Sequence, residues 1–180
     1  MKFEELVEGK LWAVRGDDED CHALETLLDQ WNDVIWLNNF FVENQVDLLS
    51  YYNVSIEEAI LHTIEDSDSL ESALMQLAED DDLDILFRPL DNNETSNSLL
   101  QKDKAKLKNR PRHPFWLRIY AIRLSNGVYI ITGGTIKLTH TMAEREHTQV
   151  ELAKIERVRN YLLSEHIIDD ESFIDYIAEL

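Results

Sequence analysis

Four short segments rich in apolar residues predict β-strands, in which successive side chains point to opposite faces. They are KLWAVR (10–15), PFWLRIYAIRL (114–124), VYIIT (128–132) and TIKLT (135–139). In the second segment the odd positions from Phe115 to Ala121 are apolar, whereas Arg118 and Tyr120 fall on the opposite face. The last three segments predict an antiparallel meander, with a turn at 125–127 and a bend or bulge at Gly133 and Gly134.

Apolar residues at helical spacing predict six helices in the rest of the chain. Their approximate ranges are 17–32, 33–50, 56–66, 69–78, 149–164 and 172–180. Three S/T/D-x-x-E motifs have the spacing of capping boxes, which mark helix starts: Ser55–Glu58, Asp68–Glu71 and Thr148–Glu151. Residues 99–110 are read as a basic helix or an extended segment. The last helix is expected to pack Phe173, Ile174 and Ile177 onto the body of the protein.

The order of these elements predicts the α+β class. An N-terminal strand and helices come first, then the three-strand antiparallel meander and a C-terminal helix. With 180 residues, of which 44% are apolar, the chain is long enough for one well-buried core, so we expect a single domain over 1–180. Within it we distinguish an acidic, mainly helical region, residues 1–84, from the remaining residues, 85–180.

Charge is distributed unevenly along a chain whose net charge is −19. Residues 1–100 hold 25 acidic and 4 basic side chains, residues 101–160 hold 5 and 13, and residues 161–180 hold 6 and none. A basic segment is therefore embedded in an acidic protein. Two interpretations remain open: a basic patch paired with acidic neighbours across the fold, or an anion-binding surface such as one for an RNA backbone.

The sequence also disfavours several classes of protein. The start MKFEELVEGK lacks the apolar region of a secretory signal, and the longest apolar runs are too short to span a bilayer, so we expect a cytoplasmic protein without a membrane partner. Cys21 is the only cysteine, which excludes a disulfide framework. EDDDLD (79–84) resembles a calcium loop, but Ile85 replaces the required glycine. Nucleotide-binding and zinc motifs are absent, and we predict no metal and no cofactor.

The candidate chemistry lies on the meander. Arg118, Tyr120, Lys137 and Thr139 form a predicted polar strip, and further cations and proton donors lie nearby in sequence: Arg123, His140, Arg145 and His147. Cleaving RNA by attack of a 2′-hydroxyl on its own phosphate needs an orienting group, cations and an acid, and in principle no metal. The alternative is that Arg118 and Lys137 are sheet-surface charges paired with the many acids.

Short motifs in this region resemble the C-terminal half of RelE/HigB-like toxins, in particular the phage-derived HigB-type branch. The matching pieces are LRIY (117–120), GVY (127–129), IKLT (136–139) and TQVEL (148–152), and the resemblance covers about 85–163. It implies a small antiparallel sheet backed by helices. It also implies a ribosome-dependent mRNA endonuclease, or a degenerate relative of one, that an antitoxin protein silences.

Carried over position by position, the resemblance implies that Arg118 and Lys137 contact or activate the scissile phosphate, with Tyr120 as a further candidate. Residues implied for RNA binding are Arg123, Thr139, His140, Arg145 and Lys154. A different class of function also fits the sequence: a non-catalytic acidic interaction protein whose helical surface binds a basic partner. Arg118 and Lys137 discriminate between the two, because only the enzyme requires both.

Overall fold

A computed structural model of the chain describes residues 1–90, 99–108, 114–139 and 145–179. Over these ranges the fold is α+β, as predicted, with helices packed on a mixed sheet. The strands are β1 (Lys2–Val7), β2 (Leu11–Arg15), β3 (Phe87–Pro89), β4 (Gln101–Ala105), β5 (Leu117–Arg123) and β6 (Tyr129–Ile136). The helices are α1 (Ala23–Asn32), α2 (Val34–Glu43), α3 (Gln45–Tyr51), α4 (Ile56–Glu79), α5 (Glu146–Ser164) and α6 (Asp170–Ala178).

The six strands form one sheet in the order β1-β2-β6-β5-β4-β3. Only β2 and β6 pair in parallel, through the register of Leu11 with Tyr129 and of Ala13 with Ile131. All other neighbours are antiparallel. Because β2 lies beside β6, the acidic region of residues 1–84 and the remainder of the chain share a single sheet.

The antiparallel meander is built from β4, β5 and β6, and its strands differ from those predicted. The segments 128–132 and 135–139 contribute to one strand, β6, which ends at Ile136. The bulge falls at Thr132, since Tyr120 lies opposite Gly133 while Ala121 lies opposite Ile131. The third strand is β4, from the segment that the sequence left open between a helix and an extended chain.

The predicted helix boundaries need four corrections. The first helix begins at Ala23 rather than 17, the predicted helix 33–50 is interrupted at Asn44, and 56–66 and 69–78 form the continuous helix α4. The Ser55 capping box is present, whereas the predicted starts at Asp68 and Thr148 are wrong because both residues lie inside helices. Phe173 is buried as predicted, but Ile174 is exposed.

Helices cover both faces of the sheet. Neighbouring residues of a strand point to opposite faces, so Gly133 and Gly134 show which helix lies on each side. A Cβ on Gly133 would meet Glu151 of α5, whereas a Cβ on Gly134 would meet Leu27 of α1. The core therefore forms on both sides of β6, and its largest fully buried side chains include Trp31, Trp116, Tyr120, Tyr129, Phe41 and Phe173.

Candidate anion-binding site

Arg118 is a half-buried guanidinium near the start of β5. Its Nη1 donates hydrogen bonds to the main-chain oxygens of Phe115, at 3.0 Å, and Leu117, at 2.7 Å. Burial lowers the pKa of Arg118, while Tyr120 and Tyr52 act in the opposite direction. Among the described residues no carboxylate forms an ion pair with Arg118, in a chain that contains 36 acidic side chains.

Three further residues lie around Arg118. The Tyr52 hydroxyl donates to the main-chain oxygen of Lys137 at 3.3 Å, and the Lys137 amide donates to Trp116 O at 2.8 Å. Burial raises the pKa of Tyr52, and the charge of Arg118 opposes that rise. Desolvation lowers the pKa of Lys106, and the charge of Arg118 lowers it further. We call Tyr52, Lys106, Arg118 and Lys137 the Arg118 cluster.

The predicted polar strip is largely internal. Tyr120 has no exposed surface, and burial raises the pKa of its phenol far above the ordinary value. Thr139 is buried as well. Tyr120 is therefore a core side chain and does not reach a substrate in this conformation. The phenol placed beside Arg118 and the Lys137 main chain is Tyr52, which sequence reasoning missed because Tyr52 lies 66 positions before Arg118.

Arg123 belongs to a separate group on the other face of β5. Its Nη2 lies 2.8 Å from Asp84 Oδ2, and its guanidinium lies 5.9 Å from the centre of the Tyr129 ring. The Tyr129 hydroxyl donates to the second oxygen of the same carboxylate at 2.5 Å. Arg123 is thus bound to an acidic partner, as the alternative reading of the basic segment expected.

Arg145 also has an acidic partner. Its Nε and Nη2 donate to the two oxygens of Asp47 at 2.6 and 2.5 Å, a bidentate pair that joins α3 to the start of α5. Asp47 is 5% exposed, and these hydrogen bonds hold the pKa of its carboxyl below the ordinary value. Lys154 is half-buried beside Gly133, and its charge opposes the rise that burial causes in the pKa of Glu151. His140 lies outside the described residues.

Two side chains of α5 bind the main chain of β6 at Gly134 and Ile136, after the part of the strand that pairs with β2. Glu151 Oε2 accepts the Gly134 amide at 3.0 Å, and His147 Nε2 lies 3.1 Å from the main-chain oxygen of Ile136. Burial raises the pKa of Glu151 and lowers that of His147. Both line a cavity of about 120 Å³ with Gln30, Trp31, Trp36, Phe40, Gly134, Thr135 and Ile136. From the sequence, Glu151 was predicted to cap the start of its own helix, whereas in the structure it binds the Gly134 amide of β6.

Comparisons with known proteins add no relative: no family model, no curated protein and no solved structure matches the chain. Within the described ranges, no helix combines the length and apolar composition needed to cross a bilayer. Over the same residues, no three histidine, cysteine, aspartate or glutamate side chains are grouped so that they could hold a metal ion. The functional argument therefore rests on the geometry of the Arg118 cluster.

Proposed function

We propose that the chain is a RelE/HigB-like toxin component, or a degenerate relative of one, that cleaves ribosome-bound mRNA without a metal and is silenced by an antitoxin protein. The observation that carries the proposal is the state of Arg118. Within the described part of the chain its hydrogen bonds go to main-chain oxygens, and a half-buried guanidinium bonded in this way keeps its positive charge for an anion. In so acidic a chain, a cation without a carboxylate partner among the described residues favours an anionic ligand.

The sheet register supports the same proposal. The motifs LRIY and IKLT lie well apart in the sequence, and the structure brings them side by side, with Leu117 opposite Ile136 and Arg118 opposite Thr135. Lys137 follows directly after β6 and is bonded to Trp116 through its amide. The two residues that the resemblance implies for the scissile phosphate therefore lie at the same end of the β5–β6 pair.

In the proposed reaction, Arg118 and Lys137 bind the phosphate and stabilise the charge that develops on its oxygens. The 2′-oxygen attacks the adjacent phosphorus and loses its proton to a solvent water, the bond to the 5′-oxygen breaks, and the 5′-oxygen leaves with a proton. The products are a 2′,3′-cyclic phosphate and a 5′-hydroxyl. We assign the proton-donating or orienting role to Tyr52 in place of the buried Tyr120.

The test is cleavage of mRNA in a reconstituted translation system, with primer extension to map the cuts. We expect cuts inside translated codons with the wild type. The cleavage rate should fall by at least about 100-fold with Arg118→Ala plus Lys137→Ala, since each cation stabilises the transition state. Lys137→Ala alone leaves the hydrogen bonds of Arg118 intact and serves if the double variant does not fold. Lys2→Ala plus Arg157→Ala removes the same two charge types at exposed positions as the matched control.

Tyr52→Phe and Tyr120→Phe form a second matched pair, because both remove one phenolic oxygen. Only the first is expected to slow cleavage. Intact transcripts with a folded wild-type protein, or equal rates for the Arg118–Lys137 variant and its control, would reject the enzymatic proposal. Growth arrest on induced expression gives the corresponding measurement in cells.

A further inference from the structure

An exposed apolar stripe runs along α2 and α3. Ile35 is 75% exposed, Val42 52%, Val46 77% and Leu49 50%. At about 100° per residue, Ile35 and Val42 lie within about 20° of one another on α2, and Val46 and Leu49 lie within about 60° of one another on α3. The buried apolar residues of the two helices, Leu37, Phe41 and Leu48, fall on other sides. We call Ile35, Val42, Val46 and Leu49 the α2–α3 stripe.

The stripe is formed by two short helices that Asn44 alone separates. The Asn44 amide donates to Phe40 O at 3.0 Å at the end of α2, and the Leu48 amide donates to Asn44 O at 3.1 Å at the start of α3. Leu49 also borders a groove of about 330 Å³ between α3 and the start of α4, lined by Gln45, Leu48, Leu49, Val54, Ser55, Ile56 and Glu57.

The helical layer that carries the stripe is acidic in sequence. Residues 16–87, which include α1 to α4, hold 20 acidic side chains and no lysine or arginine. Among the described residues, Arg145 reaches α3 and is paired with Asp47, and the Arg118 cluster includes Tyr52 at the C-terminal end of α3. An apolar stripe within a negative surface is complementary to a helix that has one apolar face and basic flanks.

Charge also distinguishes between two molecules that could cover the stripe, a second copy of the chain and a basic partner protein. A second copy that docked through its own stripe would bring two such acidic layers together, and like charges opposed across an interface cost several kcal/mol. A basic partner gains from the same field, which also accelerates its association. We infer that the α2–α3 stripe is the docking surface for an amphipathic helix with basic flanks from a partner protein. This inference does not rest on the proposed ribonuclease activity.

The test uses the full chain and two synthetic peptides of about 18 residues with identical leucine and lysine content. In one peptide the leucines form a single helical stripe, and in the other they are spread around the helix. Binding is measured by fluorescence anisotropy in about 150 mM NaCl, where long-range attraction is screened. We expect the striped peptide to bind at least about 10-fold more tightly than its isomer, because only the striped peptide buries an apolar face.

Val46→Gln plus Leu49→Gln should reduce that affinity about 10-fold or more, since both side chains lie at the centre of the contact. Ile168→Gln plus Ile174→Gln makes the same chemical change at two exposed positions near the C-terminus and should leave it unchanged.

Three results would overturn the inference. Equal affinity for the two peptides would mean that charge alone drives binding. Equal affinity of the stripe variant and its control would place the contact elsewhere. A wild-type dimer in sedimentation that the Val46–Leu49 variant abolishes would assign the stripe to a second copy of the chain.

Discussion

Gly133 and Gly134 are adjacent in β6 but are required for different reasons. A Cβ on Gly133 would overlap with Glu151 Oε2, the end of a flexible side chain. A Cβ on Gly134 would overlap with the main-chain oxygen of Arg118 and lie 2.8 Å from Leu27 Cδ1. Neither glycine has a positive φ, so close approach explains both, and the bulge that the sequence predicted at these positions lies at the adjacent Thr132.

These contacts predict unequal effects of alanine. We expect Gly134→Ala to reduce the free energy of unfolding by about 3 kcal/mol or more, because the backbone of β5 has to move. Gly133→Ala should reduce it by about 1–2 kcal/mol, because Glu151 can swing away and lose its bond to the Gly134 amide. Chemical denaturation of the two variants measures both values.

Glu151→Ala provides the matched background. Without the carboxylate, the additional cost of Gly133→Ala should vanish or become a gain of up to about 1 kcal/mol from reduced unfolded-state entropy. The cost of Gly134→Ala should persist. If Gly133→Ala remained as costly in the Glu151→Ala background, the packing argument for Gly133 would be wrong.

At the scale of elements, local patterns predicted the existence of most helices and strands but not all of their ends. The strand 10–15, the long strand β5 and the capping box at Ser55 were readable from alternation and capping chemistry. β1 was missed because KFEELV has charges on both faces as an edge strand beside β2. α4 was divided at Asp68 because exposed Asp68 and half-buried Glu71, which lie within the helix, have the same spacing as a cap.

The candidate site was only partly predictable for a physical reason. Alternation placed Arg118 and Tyr120 on one face of β5 but could not show that α5 covers that face at Tyr120. Pairing of Arg123 with Asp84, and of Arg145 with Asp47, joins residues 39 and 98 positions apart. Such partners depend on tertiary packing, which local periodicity does not encode. Tertiary packing also brings Tyr52 next to Arg118, so local periodicity could not predict Tyr52 as a site residue.

The two motifs on α4 allow a direct comparison of element ends. The Ser55 hydroxyl accepts the Glu58 amide at 3.2 Å, and the Glu58 carboxylate accepts the Ser55 amide at 2.9 Å. We expect Ser55→Ala to lower the free energy of unfolding by about 1 kcal/mol. Asp68→Ala should be neutral or stabilise by up to about 0.7 kcal/mol, since alanine is the better residue inside a helix. Thermal and denaturant melts of both variants test this, and an equal loss at Asp68 would contradict a continuous α4.

At the scale of the whole molecule, charge is segregated between the helical layer and the basic segment. The layer formed by residues 16–87 contains no lysine or arginine, so its 20 carboxylates repel one another with few local partners. Several cations of the later chain are bound singly to acids, as in the pairs Arg123–Asp84, Arg145–Asp47 and Lys102–Glu156. We therefore expect repulsion within the layer to outweigh the attraction of the exposed pairs, which contribute about 0–1 kcal/mol each.

Screening this repulsion should stabilise the fold. We expect the melting temperature at pH 7 to rise by several degrees when NaCl increases from about 20 to about 300 mM, because the Debye length falls below about 10 Å. Choline chloride should have the same effect, since screening requires no cation site. Near pH 5, close to the isoelectric point of about 4.5, the rise should be much smaller because protonation has already reduced the net charge.

A melting temperature that falls with salt at pH 7 would mean that ion pairs such as Arg145–Asp47 outweigh the repulsion. A rise with NaCl but not with choline would instead indicate specific binding of sodium.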